Sequence, residues 1–405
     1  MRVRTSRRPR LAGRRAFLIA AGAVVVGLLL AEGALRLAGV RFDASFFRDD
    51  RELGWGLRPG ARGWHVSEGE AFVAINANGQ RDAERTLEKP AGAYRVAVLG
   101  DSMVEARQVP LEQTFAQVME RHLSRCAGRA VEVLNFGVPG YGTAQELLQL
   151  RSRVWPYRPD LVLLTAYLGN DLWDNLRSLD PLSPDRRPFL VRQGTDFVLD
   201  DSFEHRLPSP WRARVRAALA DVMNASRLLQ LVNHVRVAVR SPRAVDPVSA
   251  SGGPPAGYLD RWPYLEPNHP AHVEAWLTTE GLIGELRIEV ERRGAPFLLL
   301  YLPMVAETDP DPARREEFRQ SLGADGRIDY PRNRVASLAR SAGIPLLDPT
   351  LTLLDFATSE KSYVNGFSNT APNTGHLNES GHRIVGDFVG REICKARFAA
   401  KAQGL

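Results

Sequence analysis

The stretch Val96-Ala97-Val98-Leu99-Gly100-Asp101-Ser102-Met103 decides the reading of this chain. Four apolar residues run into Gly-Asp-Ser, and a helical pattern follows from about Thr114. A short apolar run ending in a tight turn reads as a buried parallel strand that presents a serine at its carboxyl end. Open α/β sheets bind ligands at that end. Gly100 permits the sharp turn, and the Asp101 side chain can hold it through local hydrogen bonds. Gly-Asp-Ser is common in turns, so its weight comes from the rest of the chain.

Downstream, the strand-like run Val131-Glu132-Val133-Leu134-Asn135-Phe136 ends in Gly137-Val138-Pro139-Gly140-Tyr141-Gly142. Thr143 and Glu146 have the spacing of a capping box, which predicts a helix to about Trp155. A third run, Asp160 to Tyr167, ends in Leu168-Gly169-Asn170-Asp171. The rhythm then breaks. Residues 172–270 are rich in proline and arginine, with a hairpin pattern from Phe189 to Val198 and a helical one from Ala225 to Val239. Ser249 to Gly257 reads as a loop. This insertion is expected to form a cap over the strand ends. Alternation resumes with a helix at 275–293, a strand at 296–302, a helix at 331–342, a strand at 344–348 and a last helix from Glu379 to Phe398. Strands alternating with helices predict an α/β fold with a parallel sheet.

Upstream, residues 41–93 hold the strand-like run Ala71 to Asn76 and the turn signal Asn78-Gly79, a small β-containing region. Residues 16–40 are mostly apolar and long enough to span a bilayer, with Glu32 and Arg36 placed to pair near the outer end. Residues 1–15 carry seven arginines and no acid. That asymmetry predicts a cytoplasmic tail, a single-pass anchor in the inner membrane and a body outside the cytoplasm. A cleaved signal peptide is the alternative, and Arg14-Arg15 resembles a twin-arginine export signal. The formal charge of +6 owes seven positive charges to the tail, so the body is close to neutral. Nothing in it points to nucleic acid. Residues 399–405 read as a tail.

Four residues suggest acyl transfer. Ser102 needs a base, and His376, in Gly375-His376-Leu377-Asn378-Glu379, titrates in the useful range. The N–H groups of Ser102 and Gly140 and the side-chain amide of Asn170 could hold an oxyanion. Gly100-Asp101-Ser102, Gly140, Gly169-Asn170-Asp171 and His376 occur in the order and spacing of the SGNH (GDSL-type) hydrolase blocks. Over about residues 94–398, the insertion apart, the chain resembles that family. Its 41–93 region, with Asn76-Ala77-Asn78-Gly79-Gln80-Arg81-Asp82, is similar to that of membrane-anchored bacterial members. The resemblance implies a flavodoxin-like three-layer α/β/α fold with strand order 2-1-3-4-5 and a catalytic Ser102–His376 pair. It implies no cofactor and no metal. The family places an aspartate two or three residues before the histidine. Here those positions hold Thr374 and Asn373, either of which is a candidate for orienting the ring.

Other residues have plainer expected roles. His382 reads as a helix-face residue, and Arg81-Asp82 as a structural ion pair. Tyr141 and Trp173 either line the pocket or pack in the core. His65, His122, His205, His234, His269 and His272 show no metal-ligand spacing. Cys126 and Cys394 fall on the apolar faces of the first and last helices, which this strand order packs side by side. In an oxidising compartment they could form a disulfide; otherwise they are two buried thiols. The expected activity is that of an esterase or acyltransferase on O-acyl esters of envelope glycans or lipids. A non-catalytic envelope-binding protein that retains the pocket is the alternative, favoured by the missing aspartate.

Overall fold

The computed structural model describes residues 10–180, 185–194, 196–240 and 261–398. The 249–257 loop, most of the basic tail and the 399–405 tail lie outside the described residues. Helix α1 (Arg10–Leu37) comes first, followed by two antiparallel ribbons, β1 (Phe47–Asp50) with β2 (Gly54–Leu57) and β3 (Arg62–His65) with β4 (Ala71–Ala74). The sheet is built from β5 (Tyr94–Leu99), β6 (Val131–Asn135), β7 (Leu161–Ala166), β10 (Phe297–Tyr301) and β11 (Leu346–Leu347). Its order is β11-β10-β7-β5-β6, all pairs parallel, the expected 2-1-3-4-5. Between them, β8 (Phe189–Gln193) and β9 (Asp196–Asp200) form the expected hairpin in the insertion.

Every residue of β7 and β10 is buried, as strands covered on both faces require. The helices follow in order: α2 (Ser102–Glu105), α3 (Phe115–Ala127), α4 (Thr143–Gln149), α5 (Asp171–Asp174), α6 (Pro210–Ala225), α7 (Arg227–Arg240), α8 (Pro270–Arg292), α9 (Pro312–Ser321), α10 (Tyr330–Ala342), α11 (Thr350–Glu360) and α12 (Glu379–Arg397). Helices α4, α8 and α10 bury Leu147, Leu282, Leu286 and Val335 against one face of the sheet. Helices α3, α11 and α12 bury Phe115, Met119, Leu353 and Val389 against the other. Each fully buried leucine, valine or phenylalanine contributes roughly 1.5–3 kcal/mol.

One local expectation differs. Thr143 does not cap α4; Gly142 stands there, its N–H donating to Gln145 Oε1 at 3.4 Å, while Thr143 Oγ1 accepts from Asn175 Nδ2 at 3.1 Å. A glycine cap leaves the threonine hydroxyl free to tie α4 to α5. Within the insertion, α6 docks on the N-terminal ribbons. The α6 side chains Asp221 and Asn224 meet Arg58 and the Ser45 backbone, and Arg216 lies 3.6 Å from Asp49. The polar face of α6 finds complementary charge on the ribbons, so it docks there.

Helices α3 and α12 pack side by side, and Cys126 and Cys394 near their ends are joined by a disulfide with Cα atoms 6.2 Å apart. That separation is ordinary for a disulfide.

Candidate active site

The apolar β5 strand delivers the Gly100-Asp101-Ser102 turn to the carboxyl edge of the sheet. Asp101 Oδ1 accepts from Met103 N at 2.8 Å and so starts α2 with Ser102 in its first turn. Loop β6–α4 is tied to this turn, because Val138 N donates to Gly100 O at 3.1 Å and Asn135 Nδ2 to Val104 O at 2.9 Å. Gly140 has φ +74°, a conformation in which a side chain would be strained. Among the described residues neither Ser102 N–H nor Gly140 N–H donates to a protein acceptor. Asn170 stands just after β7, its amide donating to Asp174 Oδ2 at 3.1 Å.

His376 reaches the serine. Its Nε2 lies 2.8 Å from Ser102 Oγ. The group that orients the ring is not one of the two nominated from sequence. Asn373 turns away and donates to Asp309 Oδ2 at 2.7 Å, and Thr374 Oγ1 donates to Ala371 O at 2.6 Å. Glu68, in the β3–β4 connection, takes their place. Its Oε2 is 2.5 Å from His376 Nδ1, and its Oε1 accepts from His376 N at 2.7 Å. A carboxylate only accepts, so Nδ1 carries the ring proton and Nε2 is left to accept from Ser102 Oγ–H.

The surroundings explain why Glu68 can approach so closely. Asn369 holds the loop, accepting from Gly69 N and donating to Val66 O and Gly69 O, each at 2.9 Å. Gly375 has φ +67°, and a Cβ there would lie 2.1 Å from Glu68 Oε1. The glycine before the histidine therefore leaves room for the acid. Gly375→Ala is expected to displace the carboxylate and lower kcat about a hundredfold, the scale of a misplacement near 1 Å. Steady-state kinetics beside a thermal melt check this; unchanged kcat would mean the acid tolerates displacement.

Electrostatics in the pair reinforce each other. Burial disfavours a charged His376 ring, but the Glu68 carboxylate facing it, with Asp101 behind, lifts its pKa above the ordinary histidine value. Burial likewise opposes a charged Glu68, but the His376 ring, through its charge and its Nδ1–H, together with the His376 backbone N–H, holds that carboxyl below its usual range. Beneath the serine lies a group of buried acids. Glu146 and Asp171 are pushed well up by burial and by their acidic neighbours. Asp174 is raised by burial to about 7 although Arg187 Nη1 lies 3.1 Å away.

The remaining residues settle into structural positions. His382 is buried, stacked on Phe115 at 6.0 Å with its Nδ1 accepting from Phe115 N at 3.3 Å. Burial drives its pKa down to about 3, so it is neutral. Arg81 does not pair with Asp82. It donates to the carbonyls of Glu105, the last residue of α2, and of Ala106 and Val109 beyond it, while Asp82 pairs with Arg85 at 3.1 Å. Tyr141 and Trp173 pack in the core, the first donating to Trp55 O at 2.5 Å. Among the described residues no cluster of metal-ligating side chains occurs.

No family model matches the sequence, and no curated protein matches it. Solved structures do resemble it. An acetyl xylan esterase is 14% identical with a TM-score of 0.38, over 74% of this chain and 99% of its own. The lipase/acylhydrolase from Enterococcus faecalis is 14% identical with a TM-score of 0.37, over 75% and 96%. A lipolytic protein assigned to the G-D-S-L family, from Desulfitobacterium hafniense, is 13% identical with a TM-score of 0.35, over 73% and 98%. By its own sheet order and by the four blocks in sequence order, the chain has the fold and the motif residues of the GDSL-type (SGNH) hydrolases.

Proposed function

We propose that this chain is a membrane-tethered serine ester hydrolase working outside the cytoplasm, with Ser102 as nucleophile, His376 as base and Glu68 as the acid that orients it. The observation that carries the reading is the continuous contact Glu68–His376–Ser102, at 2.5 and 2.8 Å. In the first step Ser102 Oγ bonds to the ester carbonyl carbon while His376 Nε2 takes its proton. The carbonyl oxygen becomes an oxyanion beside Ser102 N–H, Gly140 N–H and the Asn170 amide. Collapse breaks the ester bond, and His376 gives its proton to the leaving alcohol. Water, deprotonated by the same nitrogen, then cleaves the acyl-enzyme. A sugar hydroxyl in place of water would make the reaction a transfer. The tether rests on α1, whose stretch Arg14–Leu37 is long and apolar enough to cross a bilayer or to act as a signal sequence, with none of that stretch buried. The location suggests O-acyl esters of envelope glycans or lipids as substrates. The reading as a non-catalytic binding protein rested on the missing aspartate, and Glu68 supplies that carboxylate from elsewhere.

Covalent labelling tests the proposal. A fluorophosphonate probe is expected to modify the wild-type chain and to leave Ser102→Ala unlabelled, with hydrolysis of short-chain aryl esters lost in parallel. A folded wild-type protein that neither labels nor turns over any acyl ester would overturn it. A panel of short and long acyl esters, with and without sugar acceptors, separates hydrolysis from transfer.

A further inference from the structure

The helical pair α6–α7 has an unpartnered face of a particular kind. On α6, Trp211, Val215, Leu219 and Val222 are exposed and share one stripe, with Trp211 62% accessible. The opposite side of the same helix carries Asp221 and Asn224, which dock on the ribbons. On α7, Val232, Val235 and Val239 form a second exposed stripe. The two helices contain six arginines and one acid, Asp221, which is paired with Arg58. Arg212 stands beside Trp211, its guanidinium 5.3 Å from the ring centroid.

The turn between these helices is clamped to α1. Glu32 accepts from Ser226 Oγ at 2.9 Å, Arg227 N at 3.0 Å and Leu228 N at 2.9 Å, so a residue of α1 caps α7. Arg36 donates to Ala225 O at 2.5 Å and to Glu32 at 2.7 Å. Glu32 lies five residues before the end of α1, about 8 Å along the helix axis. The clamp therefore holds α6–α7 level with the outer end of the apolar stretch.

We propose that α6–α7 is an interfacial membrane element: its apolar stripes rest in the outer leaflet of the bilayer that α1 crosses, with the arginines other than Arg216, which faces Asp49, at anionic headgroups. This rests on the reading of α1 as a membrane span. Amphipathic helices rich in arginine, with tryptophan and valine on the other face, lie in this way at the headgroup–acyl boundary. Continuity with α1 identifies the occupant, because the clamp leaves the bilayer as the neighbouring apolar phase. It also gives the insertion a role: it would fix the orientation of the ribbons, and with them Glu68, relative to the membrane.

The full chain in nanodiscs tests this, with anionic or zwitterionic phospholipid and nitroxide-labelled lipids. Cys126 and Cys394 are bonded, so introduced cysteines can be labelled singly with a fluorophore. Labels at Val215→Cys and Val235→Cys are expected to lose about half their fluorescence to shallow nitroxides, more in anionic discs, while Leu351→Cys on α11 is unaffected. A label at Val25→Cys, within α1, should respond to deep nitroxides. If Val25 is quenched but Val215 and Val235 behave like Leu351, the interfacial proposal falls and the span stands. If Val25 is also unquenched, the span itself fails. Energy transfer between labels at Val215 on two copies, without lipid quenching, would assign the face to self-association and overturn the proposal.

Discussion

Glu68→Gln is expected to lower kcat by roughly a thousand- to ten-thousand-fold while leaving KM near the wild-type value. The amide keeps the shape of the side chain but offers N–H as well as C=O toward Nδ1. The ring can then adopt the tautomer in which Nε2 carries the proton and cannot accept from Ser102. The imidazolium formed during attack also loses its counter-charge. In a serine hydrolase, loss of that acid costs about 10⁴ in kcat. The pH profile separates this role from a merely structural one. In the wild type, kcat/KM should rise with pH as His376 loses its proton, with a midpoint above that of an ordinary histidine. Without the carboxylate the cationic ring is less favoured, so the acid limb moves to lower pH. A variant with unchanged kcat, or with low kcat and an unmoved limb, would remove Glu68 from the proton-transfer machinery.

Breaking the disulfide should be the largest single loss of stability. Cys126→Ser with Cys394→Ser is expected to cost about 2–5 kcal/mol. The bond joins positions 268 apart, so without it the unfolded chain gains the freedom of a very long loop. Cys126 lies eleven residues along α3 from Phe115, about 16 Å by helix rise, and so well removed from the serine end of that helix. Activity at low temperature should survive while the urea midpoint falls. Thiol titration of denatured, unreduced protein should find no free thiol. Two free thiols, or an unmoved midpoint, would contradict the expectation.

The sheet was legible because its strands are continuous apolar runs punctuated by Gly-Asp-Ser, Gly-Tyr-Gly and Gly-Asn-Asp. Burial on both faces leaves little room for another pattern. Ser102 and His376 were legible for the same reason: they follow recognisable turns. Glu68 was not. It sits 308 positions from His376, in a region that reads as an accessory ribbon, and one of two acids in the short connection between two strands has no distinguishing signal. The nearest hint was Gly375, a glycine directly before the histidine. Helix α9 was invisible because Pro312–Ser321 is almost wholly polar, with Phe318 its one large apolar side chain and no fully buried residue. Helix α6 was missed because its arginines and alanines hide a stripe that faces outward, not inward.

The buried acids under the serine carry a consequence for how the chain balances rate against endurance. A carboxyl whose pKa is higher in the folded than in the unfolded chain favours the fold while it keeps its proton. That contribution is present in acid and is lost as pH climbs from the ordinary carboxylate range through the folded value. Asp174, at about 7, gives up its share near neutrality, and Glu146 and Asp171, raised by burial and by their acidic neighbours, act in the same direction. On the proposed mechanism turnover runs the other way with pH, since His376 must shed its proton to accept one from Ser102. On that mechanism a rise in pH favours turnover while it withdraws stabilising protons from the acids beneath the serine.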